Sequence, residues 1–378
     1  MTISDFAARA YDEQTRLADV LRSYVELESP TGDAAALGAM TRRLAADFEA
    51  LGAMVTVHKH PTGNQLVCRW PGTDGHESAS PLVFLAHSDT VWPVGTLDSM
   101  PWRTEDDTVW GPGVFDMKGG IVALQGALDL VSGHSHRPIT LVITADEEIG
   151  SPSSRELVAD IARDAYAVIG LEPAHPDGAL KTSRWGSTRV RIAVTGREAH
   201  SALDAALGVS AIDELVDRLW ELREILTSYP SVLCNVGTIS GGGRTNVVPA
   251  FATADIGLRF VDASTEGEVL RRLGTLRPDR VGATVSVEVL SSRPAWPASK
   301  VHDALCDAVG QAAASVGQTT IGRAATGAAD TNISGALGTP SIDGLGPVGG
   351  GAHASHEQIR LSSVFERAAL LAAIITRL

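Results

Sequence analysis

The segment ITLVITADEEIG, residues 139–150, is the part of this sequence that decides the fold class. A short apolar, β-branched run ends directly in three acidic residues. Apolar runs of this length are typical of strands buried in a parallel sheet. In such sheets, ligands bind beyond the carboxyl ends of the strands. The segment therefore predicts a buried strand that delivers Glu147 and Glu148 to a functional site.

Two further segments repeat this arrangement. PLVFLAH (81–87) ends at His87, and the run YAVIGL (166–171) is followed by Glu172. Strands that alternate with helices indicate an α/β fold, with a mostly parallel sheet flanked by helices on both faces. The helical patterns that support this interpretation cover residues 4–28, 33–51, 119–131 and 153–162, and a long helix ends the chain.

The pattern changes between residues 185 and 291. Alternating runs such as TRVRIAVTG and ATVSVEVL predict an antiparallel sheet, with helices near 209–226 and 266–276. The flanking segments resemble each other more than they resemble this one. We therefore predict one domain formed by residues 1–184 and 292–378, with a smaller α+β domain, 185–291, inserted into it.

Composition excludes several classes of function. The 378 residues are 44% hydrophobic and 20% charged, which is ordinary for a globular protein. Acidic residues outnumber basic ones by 45 to 31, and a net charge of −14 disfavours a nucleic-acid partner. No apolar run approaches the roughly 18 residues that span a bilayer, and the first residues do not resemble a signal peptide. We therefore expect a cytoplasmic protein with no membrane partner.

The candidate site residues carry nitrogen and oxygen donors. His87, Glu148 and Glu172 follow strands, Asp116 lies in the loop WGPGVFDMKGG, and a late histidine lies in GGGAHASHEQI. Three widely spaced cysteines give no thiolate zinc site. This donor set suits zinc or another first-row divalent ion. Because three carboxylates and one anion from solvent balance two divalent cations, we predict a paired-metal hydrolase site.

Two residues beside these candidates have predicted supporting roles. Adjacent side chains on an extended strand point to opposite sides, so Glu148 can bind metal while Glu147 acts as a general base. Asp89, two residues after His87, can reach the ring nitrogen that does not bind metal.

Three other classes of protein are disfavoured by the sequence. The chain has no G-x-S-x-G motif, which argues against a serine hydrolase of the α/β class. GLGPVG (344–349) fits G-x-G-x-x-G, but no helix follows it, which argues against a dinucleotide-binding dehydrogenase. A catalytically inert, metal-stabilised binding protein is disfavoured because every expected ligand and the base are present.

With these motifs in place, the chain resembles the family of dinuclear zinc peptidases and deacylases. That family includes glutamate carboxypeptidase, aminoacylase, acetylornithine deacetylase and succinyl-diaminopimelate desuccinylase. The resemblance covers nearly the whole chain, and its motifs occur in the family's order. They are LAHSDTV (85–91), GPGVFDMKGG (111–120), TADEEIGS (144–151), GLEP (170–173), EAHS (198–201), TNVVPA (245–250) and GGGAHASHE (349–357).

The resemblance assigns roles to the metal ligands. It implies His87 and Glu172 on one zinc ion, Glu148 and His353 on the other, and Asp116 bridging both. Cobalt or manganese are the alternatives to zinc. The family spacing H-x-x-x-E selects His353 rather than His356. The peptide bond after Asp116 is expected to be cis.

The resemblance also implies a substrate and an assembly. His200 is expected to stabilise the oxyanion, and Asn246 and Arg259 to bind a free carboxylate on the substrate. An ion pair on a sheet face is the alternative role for Arg259. The expected activity is hydrolysis of an amide next to that carboxylate, as in a glutamate carboxypeptidase, with aminoacylase activity as the alternative. The inserted domain is expected to act as a lid and to form a homodimer.

Overall fold

A computed structural model describes residues 2–378, which divide into two compact units. The first unit contains the chain up to Ser183, together with Ala298–Ala325 and Ala329–Leu378. The second contains Arg184–Pro297 and Thr326–Ala328. The sequence placed the corresponding boundaries after residues 184 and 291.

The helices and strands follow one another in a largely alternating order. Between residues 6 and 184 they are α1 (Phe6–Asp12), α2 (Gln14–Val25), α3 (Ala34–Ala50), β1 (Met54–His58), β2 (Gln65–Trp70), β3 (Leu82–His87), β4 (Arg103–Glu105), β5 (Thr108–Trp110), α4 (Gly119–Leu130), β6 (Ile139–Thr144), α5 (Arg155–Arg163), β7 (Ala167–Gly170) and β8 (Leu180–Arg184). They continue with β9 (Gly186–Thr195), α6 (Ala211–Thr227), β10 (Leu233–Gly241), β11 (Phe251–Phe260), α7 (Ala263–Leu273), β12 (Thr284–Arg293), α8 (Lys300–Ser315), β13 (Gly322–Ala325), α9 (Thr331–Ala336), β14 (Ser341–Ile342), β15 (Gly349–Gly350), β16 (Gln358–Arg360) and α10 (Leu361–Arg377).

The first unit is built on a six-stranded mixed sheet in the order β1-β2-β6-β3-β7-β14. Strands β6, β3, β7 and β14 run parallel, whereas β1 and β2 pair antiparallel at one edge. The α/β prediction is confirmed. In the register, His87 lies opposite Thr144 and Leu85 lies opposite Gly170, so three carboxyl ends meet at one edge of the sheet.

Alternate residues of the central strands pack against different helices. Phe84 and Leu141 belong to the large core formed with α1, α2, α4 and α10. Val83 and Val142 instead pack with α5 and α9. Because side chains alternate across a strand, the sheet is covered on both faces, as the continuous apolar runs predicted.

A second, smaller sheet connects segments that are distant in sequence. It has the order β15-β16-β5-β4 and joins residues 103–110 to residues 349–360. These strands are two or three residues long, too short for an apolar period to reveal them. They hold the glycine-rich approach to His353.

The second unit has a four-stranded antiparallel sheet in the order β10-β11-β9-β12. Helices α6 and α7 share their core with alternate residues of β9 and β11, so they cover one face. Strand β10 was missed in the sequence, because its residues are largely exposed and Gly237 and Gly241 interrupt the pattern. Arg184 and Trp296 exchange two backbone hydrogen bonds of 3.0 and 2.9 Å, which join the start and end of the inserted segment.

Among residues 2–378, no helix is both long enough and apolar enough to cross a membrane.

Candidate metal centre

The parallel strands place three of the predicted ligands at one edge of the main sheet. His87 is the last residue of β3, Glu148 follows β6, and Glu172 follows β7. The backbone N–H of Leu171 donates to Leu85 at 3.0 Å, which holds the Glu172 segment against β3. The sheet topology therefore brings together residues that are 85 positions apart in the sequence.

One group of ligand atoms is formed by His87, Asp116 and Glu172, all within 4.8 Å of one another. The His87 Nε2 atom is 3.0 Å from Asp116 Oδ1 and 3.5 Å from Glu172 Oε1. His87 is 1% exposed.

The other group is formed by Asp116, Glu148 and His353, again within 4.8 Å. His353 Nε2 is 3.0 Å from Glu148 Oε2 and 3.6 Å from Asp116 Oδ2. His353 has a positive φ of 60°, which is uncommon for a residue other than glycine. His356 belongs to neither group.

The two groups share Asp116, and each of its carboxylate oxygens faces a different histidine. Metal bonds of about 2.0–2.2 Å in a tetrahedral site place neighbouring ligand atoms about 3.4 Å apart. The separations of 3.0 to 3.6 Å fit that spacing. The donor chemistry and the geometry therefore both fit a pair of divalent ions bridged by Asp116.

The histidines and carboxylates of the centre perturb one another strongly. Burial by itself lowers the pKa of His87, but hydrogen bonds to Asp116 and Asp89 and the charge of Glu172 hold it well above the usual value. The hydrogen bond to Glu148 raises the pKa of His353 to about 9. With a pKa of about 9, the His353 ring is protonated at neutral pH. Metal binding at that ring must therefore release a proton.

Asp116 has the opposite shift. Burial by itself raises its pKa, but the hydrogen bond with His87 and the charges of His87, His353 and Lys181 lower it. The carboxylate is therefore ionised in the metal-free protein and ready to bind a cation.

Asp89, which was predicted to contact the His87 ring, also contacts other residues of the site. The Nδ1 of His87 donates to the backbone carbonyl of Asp89 at 2.9 Å, and the Asp89 carboxylate lies 3.4 Å from the same nitrogen. That carboxylate also accepts the backbone N–H groups of Glu147 and Glu148, each at 3.2 Å. Thr31 donates to it at 2.8 Å. Asp89 therefore fixes the ring orientation and the Glu147–Glu148 segment together.

The backbone at Glu147 and Glu148 differs from the expectation. The sequence argument assumed an extended strand, but residues Glu147–Ile149 form a 3-10 turn after β6. The expectation of an extended segment is wrong, because Asp89 and Asp146 hold the backbone in a turn: the Asp146 carbonyl accepts N–H groups from Ile149 and Ser151. Glu147 is 7% exposed.

The loop that carries Asp116 depends on a close approach at Gly120. A Cβ atom there would lie 2.1 Å from the carbonyl oxygen of Leu171, the residue before Glu172. Only glycine allows α4 to begin this close to the end of β7. The peptide bond between Asp116 and Met117 is cis, as expected.

Two predicted residues of the second unit are neighbours within that unit. His200 pairs with Val247, and the N–H of Ser201 donates to the carbonyl of Asn246 at 3.0 Å. The Nδ1 of His200 accepts the N–H groups of Ala202 and Leu203, at 3.2 and 3.1 Å. Because Nδ1 is an acceptor, the ring proton lies on Nε2, which makes it a hydrogen-bond donor.

Arg259 lies on β11, opposite Ser187 of β9, and Arg293 of β12 pairs with the same serine. Burial, followed by the charge of Arg293, lowers the pKa of Arg259. Across residues 2–378, no acidic side chain forms an ion pair with Arg259. The alternative role of a partner in a sheet-face ion pair therefore has no support.

Some supporting contacts of the site have no signal in the sequence. Thr31 precedes Asp89 by 58 residues, and no motif connects them. Nor did any motif connect Thr144 and Ser151 with Asp330, which accepts hydrogen bonds from both beneath the Glu147 turn. Such contacts depend on how distant loops pack, which a local pattern does not record.

Comparison with known proteins gives matches over nearly the whole chain. The model of peptidase family M20/M25/M40 matches residues 83–377. Carboxypeptidase G2 from Pseudomonas sp. (strain RS-16) is 30% identical over 380 residues, which cover 97% of this chain and 90% of that enzyme. Succinyl-diaminopimelate desuccinylase from Bordetella bronchiseptica is 30% identical over 76% of this chain and 80% of its own.

The fold is shared with a tripeptidase from Staphylococcus aureus. The TM-score is 0.76 at 23% identity, covering 96% of this chain and 98% of the tripeptidase. The family match, the carboxypeptidase relative and the clustered ligand groups agree on a metal-dependent hydrolase of carboxypeptidase-like type. The chain belongs to peptidase family M20/M25/M40.

Proposed function

We propose that this protein is a dinuclear zinc exopeptidase that hydrolyses the amide bond next to a free carboxylate. His87 and Glu172 would hold one ion, Glu148 and His353 would hold the other, and Asp116 would be a ligand in both groups. The observation that carries the proposal is the pair of ligand groups that share Asp116, each oxygen facing its own histidine.

Two divalent ions held by these residues would supply a water of lowered pKa and polarisation of the scissile carbonyl. Glu147 takes the proton from the attacking water and passes it to the leaving amine. Asp89 keeps Nδ1 of His87 protonated and holds the Glu147 backbone in place. His200 presents its Nε2–H to the developing oxyanion, because its Nδ1 is occupied as an acceptor.

Recognition of the substrate carboxylate is assigned to Arg259 and Asn246. Arg259 is partly desolvated beside a second arginine and has no acidic partner among the described residues. An anionic ligand relieves the unfavourable proximity of the two guanidinium groups, and a planar guanidinium binds a carboxylate through two parallel hydrogen bonds. We propose glutamate as the preferred terminal residue, as the resemblance to glutamate carboxypeptidase implies; carboxypeptidase G2, a relative that aligns over 97% of the chain, supports the carboxypeptidase type.

The second unit is proposed to act as a lid and as the dimer interface. Ile212, Val216 and Trp220 recur every fourth residue on α6 and are 37%, 58% and 64% exposed. Strand β10 lies at the edge of its sheet and exposes Leu233 and Ile239. An unpaired edge beside an apolar helix stripe favours pairing with a second copy of the same chain. We also propose that the protein acts in the cytoplasm.

The proposal is tested with the purified protein, stripped of metal and reloaded with zinc, cobalt or manganese. A panel of C-terminal glutamyl dipeptides and N-acyl amino acids is compared with the same compounds carrying a C-terminal carboxamide. We expect activity to return at about two ions per chain and to require the free carboxylate. Faster turnover of N-acyl amino acids than of peptides would identify an aminoacylase. The absence of bound metal would contradict the proposal.

Replacing Glu147 by Gln tests the general base. The variant should bind both ions but lose about 10²–10⁴-fold in kcat, the range attributed to general acid–base catalysis. Glu156→Gln, at an exposed glutamate in the first turn of α5, is the matched control and should keep full activity. Near-normal kcat in Glu147→Gln would remove Glu147 from the mechanism.

A further inference from the structure

Glu357 is a fully buried carboxylate with four hydrogen-bond donors around it. Its exposed fraction is 0%. The Oε2 atom accepts from Trp92 Nε1 at 2.7 Å and from the backbone N–H of Gly113 at 2.9 Å. The Oε1 atom accepts from the N–H groups of Phe115 and Asp116, at 2.9 and 3.0 Å.

These donors belong to segments that carry metal ligands. Trp92 follows His87 by five residues, the N–H groups lead to Asp116 itself, and Glu357 follows His353 by four residues. The backbone carbonyl of Glu357 also accepts the N–H of Gly111 at 3.4 Å. One side chain thus connects three ligand-bearing segments.

The chemistry of this position requires a carboxylate. An ionised carboxylate only accepts hydrogen bonds, and here each oxygen accepts two N–H groups. A glutamine of the same shape would direct its NH2 group at one of these two pairs of donors. Either orientation leaves two buried N–H groups without an acceptor and pushes the Asp116 loop or Trp92 away.

We propose that Glu357 is a positioning residue whose carboxylate sets the metal affinity of the centre by holding the Asp116 loop against the His353 loop. The inference rests on the metal centre proposed above. Asp116 bridges both ligand groups, so a displacement of its backbone changes both sites at once. Partners that orient ligands in this way typically change metal affinity by about 10–100-fold when they are lost.

Glu214 provides a matched control. It is also a glutamate with 0% exposure, and it accepts the backbone N–H groups of Asp279 and Arg280 at 3.0 and 2.9 Å. It lies in the second unit and contacts none of the proposed ligands. Replacing it by Gln disturbs a similar buried carboxylate without touching the metal centre.

The experiment compares wild type, Glu357→Gln, Glu214→Gln and Trp92→Phe, which removes one of the four donors. Zinc affinity is measured by competition with a chromophoric chelator, and the cobalt-loaded proteins are compared by visible absorption. We expect about 10–100-fold weaker metal binding and an altered cobalt spectrum in Glu357→Gln. A smaller loss is expected in Trp92→Phe, and wild-type affinity in Glu214→Gln even if its melting temperature falls. If Glu357→Gln does not fold, the zinc affinity and cobalt spectrum of Trp92→Phe are compared with those of wild type instead.

Wild-type affinity and an unchanged cobalt spectrum in both Glu357→Gln and Trp92→Phe would overturn the inference and leave the proposed function intact. An equal loss of affinity in Glu214→Gln would also overturn it, because general destabilisation would then explain the effect. Failure of the wild-type protein to bind metal would instead overturn the proposed function itself.

Discussion

At the scale of single residues, the two histidines of HASHE differ in position although they are three residues apart. His353 adopts a positive φ and lies 3.0 Å from Glu148, whereas His356 joins neither ligand group. The bare sequence left both histidines as candidates. A periodic pattern does not record which residue of an irregular loop turns inward, and here the family spacing selected the residue that contacts Glu148.

His353→Ala should reduce bound metal from about two ions to about one per chain, because Asp116 and Glu148 alone make a poor site. His356→Ala is the control of the same size and sequence neighbourhood, and it should retain both ions. Metal content measured by elemental analysis after dialysis checks this. The reverse pattern would assign the ligand to His356.

Arg259→Met should weaken binding of substrates that carry a free carboxylate. A charge-assisted hydrogen bond contributes about 1.5–3 kcal/mol, which corresponds to a rise in KM of roughly 10–100-fold. Arg189, an exposed arginine on β9, gives the control variant Arg189→Met. Steady-state kinetics with a glutamyl peptide and its carboxamide check the prediction. An equal effect on both substrates would assign Arg259 a structural role.

At the scale of elements, the long buried strands and helices were predictable, but the short strands were not. Strands β3 and β6 have six buried residues each, and that apolar run is visible in the sequence. Strands β15 and β16 have two and three residues, and β16 pairs with β15 on one side and, across more than 240 positions of sequence, with β5 on the other. Three ligands of the candidate site were predictable for a related reason: His87, Glu148 and Glu172 follow the visible strands, whereas Asp116, His353 and the supporting contacts lie in loops.

The contact between α8 and β14 contains a buried histidine that makes stability depend on pH. His302 on α8 accepts the N–H of Ser341 at its Nδ1, at 3.1 Å, and burial lowers its pKa. As the pH falls, the His302 ring therefore becomes protonated first in the unfolded chain, at about pH 6.5. The stabilisation from the neutral, buried ring is fully present above that pH, and it is lost as the pH falls towards the lower pKa that His302 has in the folded protein.

His302→Gln should therefore remove part of the pH dependence of stability. The difference in unfolding free energy between wild type and variant should be constant above about pH 7 and should shrink below about pH 6.5, by at most about 1.4 kcal/mol per pH unit. Urea unfolding between pH 8 and 5 measures it, with the exposed His76→Gln as control. A difference that does not vary with pH would contradict the assignment.

At the scale of the whole molecule, the apolar stripe of α6 and the free edge of β10 predict the assembly state. Light scattering after size exclusion should give twice the mass of one chain. Trp220→Asp should shift the protein towards monomer, because it places a charge in the centre of the proposed interface. Val281→Asp, at a valine that is 96% exposed in a turn of the same unit, should leave the mass unchanged. A monomeric wild type would contradict the homodimer.

The hydrogen bonds between Arg184 and Trp296 have an evolutionary consequence. They bring the two ends of the inserted segment within backbone bonding distance of each other. Because its two ends are adjacent, the inserted segment does not force the flanking residues apart. Gaining, losing or exchanging such a segment requires only a short new connection between those flanking residues. Recombination can therefore exchange the inserted segment as one piece. Different lineages can in this way change what the second unit recognises while the sheet that holds the metal ligands stays the same.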